Sequence, residues 1–232
     1  MQRILGIAVL VGAFAAFLPP DLQASGGSQM PRSPGASSVV PAPRRTPEEV
    51  AIDLYNAGLK ARDKAIDLLK EAAQAGSEKE RSKLEGKAQK EFGKAISQFR
   101  SATEMNPKFH EAYSDLGFVL RKTADYAGAL EAYDRAISLA PTYSPAIEYR
   151  AEAYLGLDRV EDAKQAYMAL FPGDRGRADE LLKAMKGWVE KRQAEPGTLP
   201  PDAVQEFAHW VAQREELAGQ TPSVSELQQR KW

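Results

Sequence analysis

Three stretches of the chain state one pattern at intervals of 34 residues. They are "AISQFRSATEMNP" from Ala95, "ALEAYDRAISLAP" from Ala129 and "AKQAYMALFPGDR" from Ala163. Ala95, Ala129 and Ala163 are small. Phe99, Tyr133 and Tyr167 follow four residues on, and Ala102, Ala136 and Leu170 three after that. At helical spacing these columns share one face. Small residues let a neighbouring helix approach closely, and the ring fills the space beside them. Pro107 and Pro141 end the first two copies, because proline lacks the N–H and clashes with the preceding turn.

A second helix is written before each of these. "AYSDLGFVLRKTADY" carries Tyr113, Leu116, Gly117 and Leu120 ahead of Ala129. A helix-interior glycine is unfavourable by roughly 1 kcal/mol relative to alanine, so Gly117 implies a close neighbour. Ala151 holds the same position one period later, with Ile147, Arg150 and Tyr154 around it. A helix–turn–helix unit with these columns resembles the tetratricopeptide repeat, TPR. The register gives a regular unit at 110–143, a partial one at 144–173 and an extended one at 46–109. The resemblance implies an all-α fold: a short TPR-like α-solenoid with a long antiparallel first hairpin and a C-terminal capping helical hairpin.

The first unit departs from the regular length. Thr46, Pro47 and Glu49 write a capped helix start, Gly76 a stop, and Ser77 with Glu80 a second capping box. Gly58 and Ala95, Phe99 and Ala102 match the repeat columns. From Gly58 to Ala95 is 37 residues, where the regular spacing is 12. The surplus predicts a hairpin projecting about 18 Å beyond the stack. Ile66, Leu69 and Ala73 are expected to form its seam against Leu84 and Ala88. The remainder of the arm is charged, which suits either a solvated extension or a docking arm.

Past Leu170, Leu181, Leu182, Met185, Trp188 and Val189 share one helical face, and Val204, Phe207, Ala208 and Val211 another. Residues 174–218 are therefore expected to cap the open end of the stack, which a solenoid requires. Residues 219–232 read as a weakly ordered tail.

At the other end, Ile4 to Leu18 is an uninterrupted apolar run after Arg3, broken by Pro19 and Pro20. With Leu22 and Ala24 before a cut ahead of Ser25, residues 1–24 read as a signal peptide. An uncleaved membrane anchor is the alternative. Residues 25–45 are rich in Ser, Gly and Pro and form a flexible linker. Its arginines, Arg32, Arg44 and Arg45, offer the other route to a membrane surface. The expected location is periplasmic or secreted. The whole organisation resembles exported bacterial TPR proteins.

The chain has no cysteine, which excludes disulfides, thiolate nucleophiles and cysteine metal sites. Its net charge of −1 gives no electrostatic reason to expect nucleic acid. No phosphate loop or nucleophile elbow is written. His110, at a repeat boundary, is expected to face solvent, and His209 stands beside Trp210. Neither has metal-ligand spacing. No catalytic, cofactor or metal residues are assigned, and no enzyme activity is expected.

The TPR resemblance implies a concave groove lined by the first helix of each unit, where a protein or peptide partner binds. Its groove positions fall on Asn56, Leu59 and Arg62, then on Ser114, Asp115, Phe118 and Lys122, then on Glu148, Tyr149 and Glu152. Phe118 is the natural apolar anchor, with Tyr149 as companion. Ser114 and Phe118 stand where the family's carboxylate-binding type has Lys and Asn. A partner with apolar and basic side chains suits Asp115, Glu148 and Glu152. An adaptor or scaffold of the cell envelope follows, as does the rival of an accessory subunit in an enzyme complex.

Overall fold

A computed structural model describes residues 45–220 apart from 196, so the expected signal segment, most of the linker and the tail beyond 220 lie outside the described residues. Within them the secondary structure is helical: α1 (Pro47–Ala73), α2 (Glu78–Met105), α3 (His110–Lys122), α4 (Tyr126–Leu139), α5 (Ser144–Gly156), α6 (Val160–Leu170), α7 (Arg175–Ala194) and α8 (Pro201–Gln220). The fold is an all-α solenoid. Consecutive helices pair as hairpins, and α3 and α5 also pack against each other, as do α5 and α7.

The sequence columns become contacts. A side chain at Gly58 would meet the Phe99 ring at 2.5 Å, and one at Gly117 would meet the Tyr133 ring at 2.6 Å. Each glycine is thus the floor on which the ring of the second helix lies. Ala151 is fully buried at the same position of the third pair, where Tyr167 is 1% exposed. The turns between paired helices repeat as well. Ala124 (φ 65) and Asp158 (φ 57) both adopt the left-handed conformation, one 34-residue period apart.

The first hairpin follows a different rule. α1 has 27 residues and α2 has 28, each about 40 Å long at 1.5 Å per residue. The buried positions of α1 are Ala51, Gly58, Ala65 and Ala72, seven residues apart. Ala88, Ala95 and Ala102 answer them on α2 at the same interval, with Phe92 and Phe99 between. A seven-residue period keeps one seam facing its partner along the whole pair, as in a coiled coil. This corrects the expected seam. Leu69 is 38% exposed and Ala73 is exposed, while Ala65, Ala72 and Phe92 carry the contact, flanked by Ile66 and Leu68. Ala88 lies in the seam as expected, but its partners on α1 are alanines at seven-residue spacing rather than Leu69 and Ala73.

The capping also differs in part. Thr46 Oγ1 accepts from the Glu49 N–H at 3.2 Å, and Glu49 Oε2 accepts from the Thr46 N–H at 2.9 Å, completing the expected box. At α2, Ser77 Oγ accepts from the Glu80 N–H at 3.3 Å and the reciprocal bond is not made. α1 stops at Gln74, whose φ of −101° needs no glycine; Gly76 lies two residues further on.

Two apolar clusters fill the solenoid. One joins α1 to α4 around Phe92, Phe99, Val119 and Tyr133, and the other joins α5 to α8 around Tyr167, Leu181, Met185 and Phe207. α5 belongs to both: Ala146 and Ala153 enter the first, Ala151 and Leu155 the second. The expected apolar face of α7 is buried in full, and Trp188 Nε1 donates to the Leu155 carbonyl at 2.7 Å. The His110 expectation fails. Its ring is partly buried, edge-on to Tyr143 at 4.8 Å, with Nδ1 3.1 Å from a Glu111 carboxylate oxygen.

Candidate groove on the first helices

The first helices α1, α3, α5 and α7 stand side by side and are tied by charged groups. Asp115 on α3 accepts from the Tyr55 hydroxyl at 2.7 Å and from the Arg62 guanidinium, both on α1. Arg121 on α3 donates to Glu152 on α5 at 2.5 Å. Arg177 on α7 donates to Glu148 on α5 at 2.6 Å. Every adjacent pair of first helices is therefore bridged by an arginine–carboxylate pair, a geometry to which the guanidinium fork is suited.

Burial decides what these pairs are for. The side chain of Glu148 is 5% exposed and that of Asp115 is 14% exposed. Burial pushes both carboxyls above their ordinary pKa, against the pull of Arg177 on one and of Arg62 and Tyr55 on the other. Desolvation and the Asp115 charge likewise push the Tyr55 hydroxyl up. These are structural ties, and a partner that used the same carboxylates would have to displace an arginine from each. The expectation of a basic partner recognised by Asp115, Glu148 and Glu152 therefore lacks free acids to act through.

Between the ties lie two partly buried rings. Phe118 and Tyr149 meet edge-on at 5.3 Å between ring centres. Three cations surround Phe118: Arg62 at 5.9 Å, Arg121 at 5.5 Å and Lys122 at 5.4 Å from its centre. Arg177 lies 5.6 Å from the centre of Tyr149. Cations over ring faces are attracted by the ring quadrupole. Lys122 differs from the arginines in having no carboxylate within 4.0 Å among the described residues. Its side chain is exposed at the rim while its ammonium end tucks over the ring. That desolvation and the charge of Arg121 lower its pKa.

The structure brings together Arg62, Asp115, Phe118, Lys122, Tyr149 and Glu152, with Glu148 held by the same Arg177 that lies over Tyr149. Leu59 is partly buried in the α1–α4 cluster. Asn56 is exposed on α1. Ser114 is 3% exposed and does not present a group to a groove. Sequence reading missed Tyr55, Arg121 and Arg177 as groove residues. The signal for Arg121 was its place three residues after Phe118, on the same face; Arg177 belongs to α7, which had been read only as a cap. An open hollow of about 660 Å³ lies elsewhere, between α7 and α8, lined by residues that include Leu182, Lys183 and Lys186. Among the described residues no group of three or more His, Asp or Glu side chains is placed to hold a metal ion.

Residues 110–143 match the family described as tetratricopeptide repeat. The chain thus carries a tetratricopeptide repeat at α3–α4. The class is a protein-interaction scaffold, since stacked repeats of this kind present extended binding surfaces. A stretch of 109 residues is 26% identical to the transcription factor tau 131 kDa subunit of Saccharomyces cerevisiae. That stretch is 47% of this chain and spans only 11% of the curated relative. Among solved structures, one of MamA protein is 23% identical, covering 67% of this chain and 81% of the other, with a TM-score of 0.34. A second structure of MamA is 17% identical, covering 75% and 92%, with a TM-score of 0.39.

Proposed function

We propose that this chain is an exported scaffold of the cell envelope that holds a protein or peptide partner against Phe118 and Tyr149, without catalysis of its own. The carrying observation is the contrast between the paired groove acids and Lys122, a cation over an aromatic ring with no carboxylate within 4.0 Å among the described residues. Such a surface suits an apolar or aromatic side chain with an acidic group next to it. The rings supply contact area at low conformational cost, and the ammonium supplies orientation.

The test is co-purification from cell envelopes with the wild-type chain, Phe118→Ala/Tyr149→Ala and Lys122→Glu. A partner retained by the wild type should be lost from the double variant and weakened by the charge reversal. An unchanged set of partners overturns the groove reading. Export rests on the apolar run Ile4 to Leu18 and is tested separately by N-terminal sequencing. A chain beginning at Ser25 supports cleavage; one that keeps Met1 supports a tether through that segment.

A further inference from the structure

One lysine of the groove is placed for chemistry as well as for charge. Arg62 from α1 and Arg121 and Lys122 from α3 share the Phe118 ring. Asp115 holds Arg62, and Glu152 on α5 holds Arg121. Neither guanidinium can shed its proton in a protein. Lys122 is the member of the trio that can, because an ammonium gives up its charge when it is desolvated beside other cations. Among the described residues no carboxylate lies within 4.0 Å to hold that charge in place.

The surroundings all bear on that proton. Desolvation and then the Arg121 charge lower the Lys122 pKa; Glu152 pulls the other way and is outweighed. Glu152 is already engaged by Arg121 at 2.5 Å. The Phe118 ring favours the charged form, but two fixed cations share it. Lys164 shows the ordinary arrangement. It too lies over rings, 5.7 Å from the centre of Phe207 and 5.8 Å from that of Trp210, yet Glu161 holds it at 2.6 Å. Lys122 remains an exposed residue at the groove rim, so a small reagent can reach it. A lysine desolvated next to another cationic group is an activated nucleophile.

We propose that Lys122 is a modification site, acylated by an acyl phosphate. The neutral Nζ attacks the carbonyl carbon and a C–N bond forms. The C–O bond to the phosphate breaks, and one amine proton goes to the departing phosphate. The amide that results is uncharged, so the cation over Phe118 is removed. That an acidic partner then binds less tightly rests on the groove reading above; the reactivity does not. The test treats the full chain briefly with acetyl phosphate and reads each lysine by quantitative peptide mass spectrometry. The references are Lys83 and Lys87, exposed on α2 and without a carboxylate within 4.0 Å among the described residues. At neutral pH Lys122 should react about threefold faster than either, or more. Its rate should also level off at a lower pH than theirs, a readout that needs no variant to fold. Arg121→Gln removes the neighbouring charge and frees Glu152, so Lys122 should slow to the rate of Lys83, with circular dichroism unchanged. The proposal is overturned if Lys122 reacts no faster than the references, if the pH profiles coincide, or if a folded Arg121→Gln leaves its rate as it was. Should Lys122 react as expected while the partner set ignores Phe118→Ala/Tyr149→Ala, the groove reading falls and the modification site stands.

Discussion

The hairpin α1–α2 and the repeats α3–α6 solve one problem by two routes. In the repeats, a ring from the second helix lies on a small residue of the first, and each pair then packs on the next. Tyr133 lies on Gly117 and also stands 6.4 Å, centre to centre, from Tyr149 on α5. In the outer part of the arm there is no next pair. α1 and α2 close on each other along seven-spaced alanines, with Phe92 the large buried ring added to that seam. The turns differ too: α3–α4 and α5–α6 pass through a left-handed residue, whereas α1 ends in a right-handed one. A repeat is sealed by its neighbours, whereas an arm must seal itself, which seven-spaced alanines do at close approach.

The largest effects should come from the rings. Tyr133→Ala removes a fully buried side chain and should destabilise the chain by about 4 kcal/mol in urea unfolding. Hydrogen exchange should then quicken through α3, α4 and α5. Phe92→Ala should quicken exchange in α1 and α2 alone; an equal loss of protection in α5 would erase the distinction between arm and repeats. In the last repeat, Asp158 accepts from Thr198 and from Arg192, tying the α5–α6 turn to α7 and the loop after it. Burial works to raise its pKa, but the bonds from Thr198 and Arg192 outweigh it and the net direction is down. Its stabilisation is therefore fully present above the ordinary carboxylate pKa of about 3.9 and is lost as pH falls through the lower folded value. Asp158→Asn tolerates the same backbone and should lose about 2 kcal/mol at neutral pH, a gap that narrows in acid.

Two substitutions should stabilise. Ala124→Gly relieves a left-handed alanine and should gain about 1 kcal/mol, an effect with no counterpart at the arm's turn. Gly93→Ala should gain slightly less, about 0.8 kcal/mol, because nothing within 4 Å opposes the added methyl. The same change at Gly117 should lose stability against the Tyr133 ring; thermal melts of the pair decide whether arm glycines and repeat glycines serve different ends.

The repeat was legible because its information is local: Ala129, Tyr133 and Ala136 sit within two helical turns, and their partner Gly117 lies one turn of chain away. The capping face of α7 was legible for the same reason. The arm's seam was present as Ala51, Gly58, Ala65 and Ala72, yet alanine is so ordinary in helices that its seven-residue spacing did not stand out, and the expected face fell on Leu69 and Ala73 instead. The groove was only half legible. The resemblance to the repeat implied groove positions for Phe118 and Tyr149, but it could not say that Arg121 and Arg177 would occupy the acids between them. That depends on how α3, α5 and α7 stand side by side, which no short window of sequence contains.

The bridges between first helices have a mechanical consequence. Arg62–Asp115, Arg121–Glu152 and Arg177–Glu148 are three stitches along one side of a stack whose stiffness is otherwise set by nearest-neighbour packing. Bending that spreads α1, α3, α5 and α7 apart must pull half-buried ions away from their partners. Bending that draws them together leaves the stitches intact. The stack is then a spring with unequal resistance in its two directions, yielding more readily to a slender guest than to one that must prise it open.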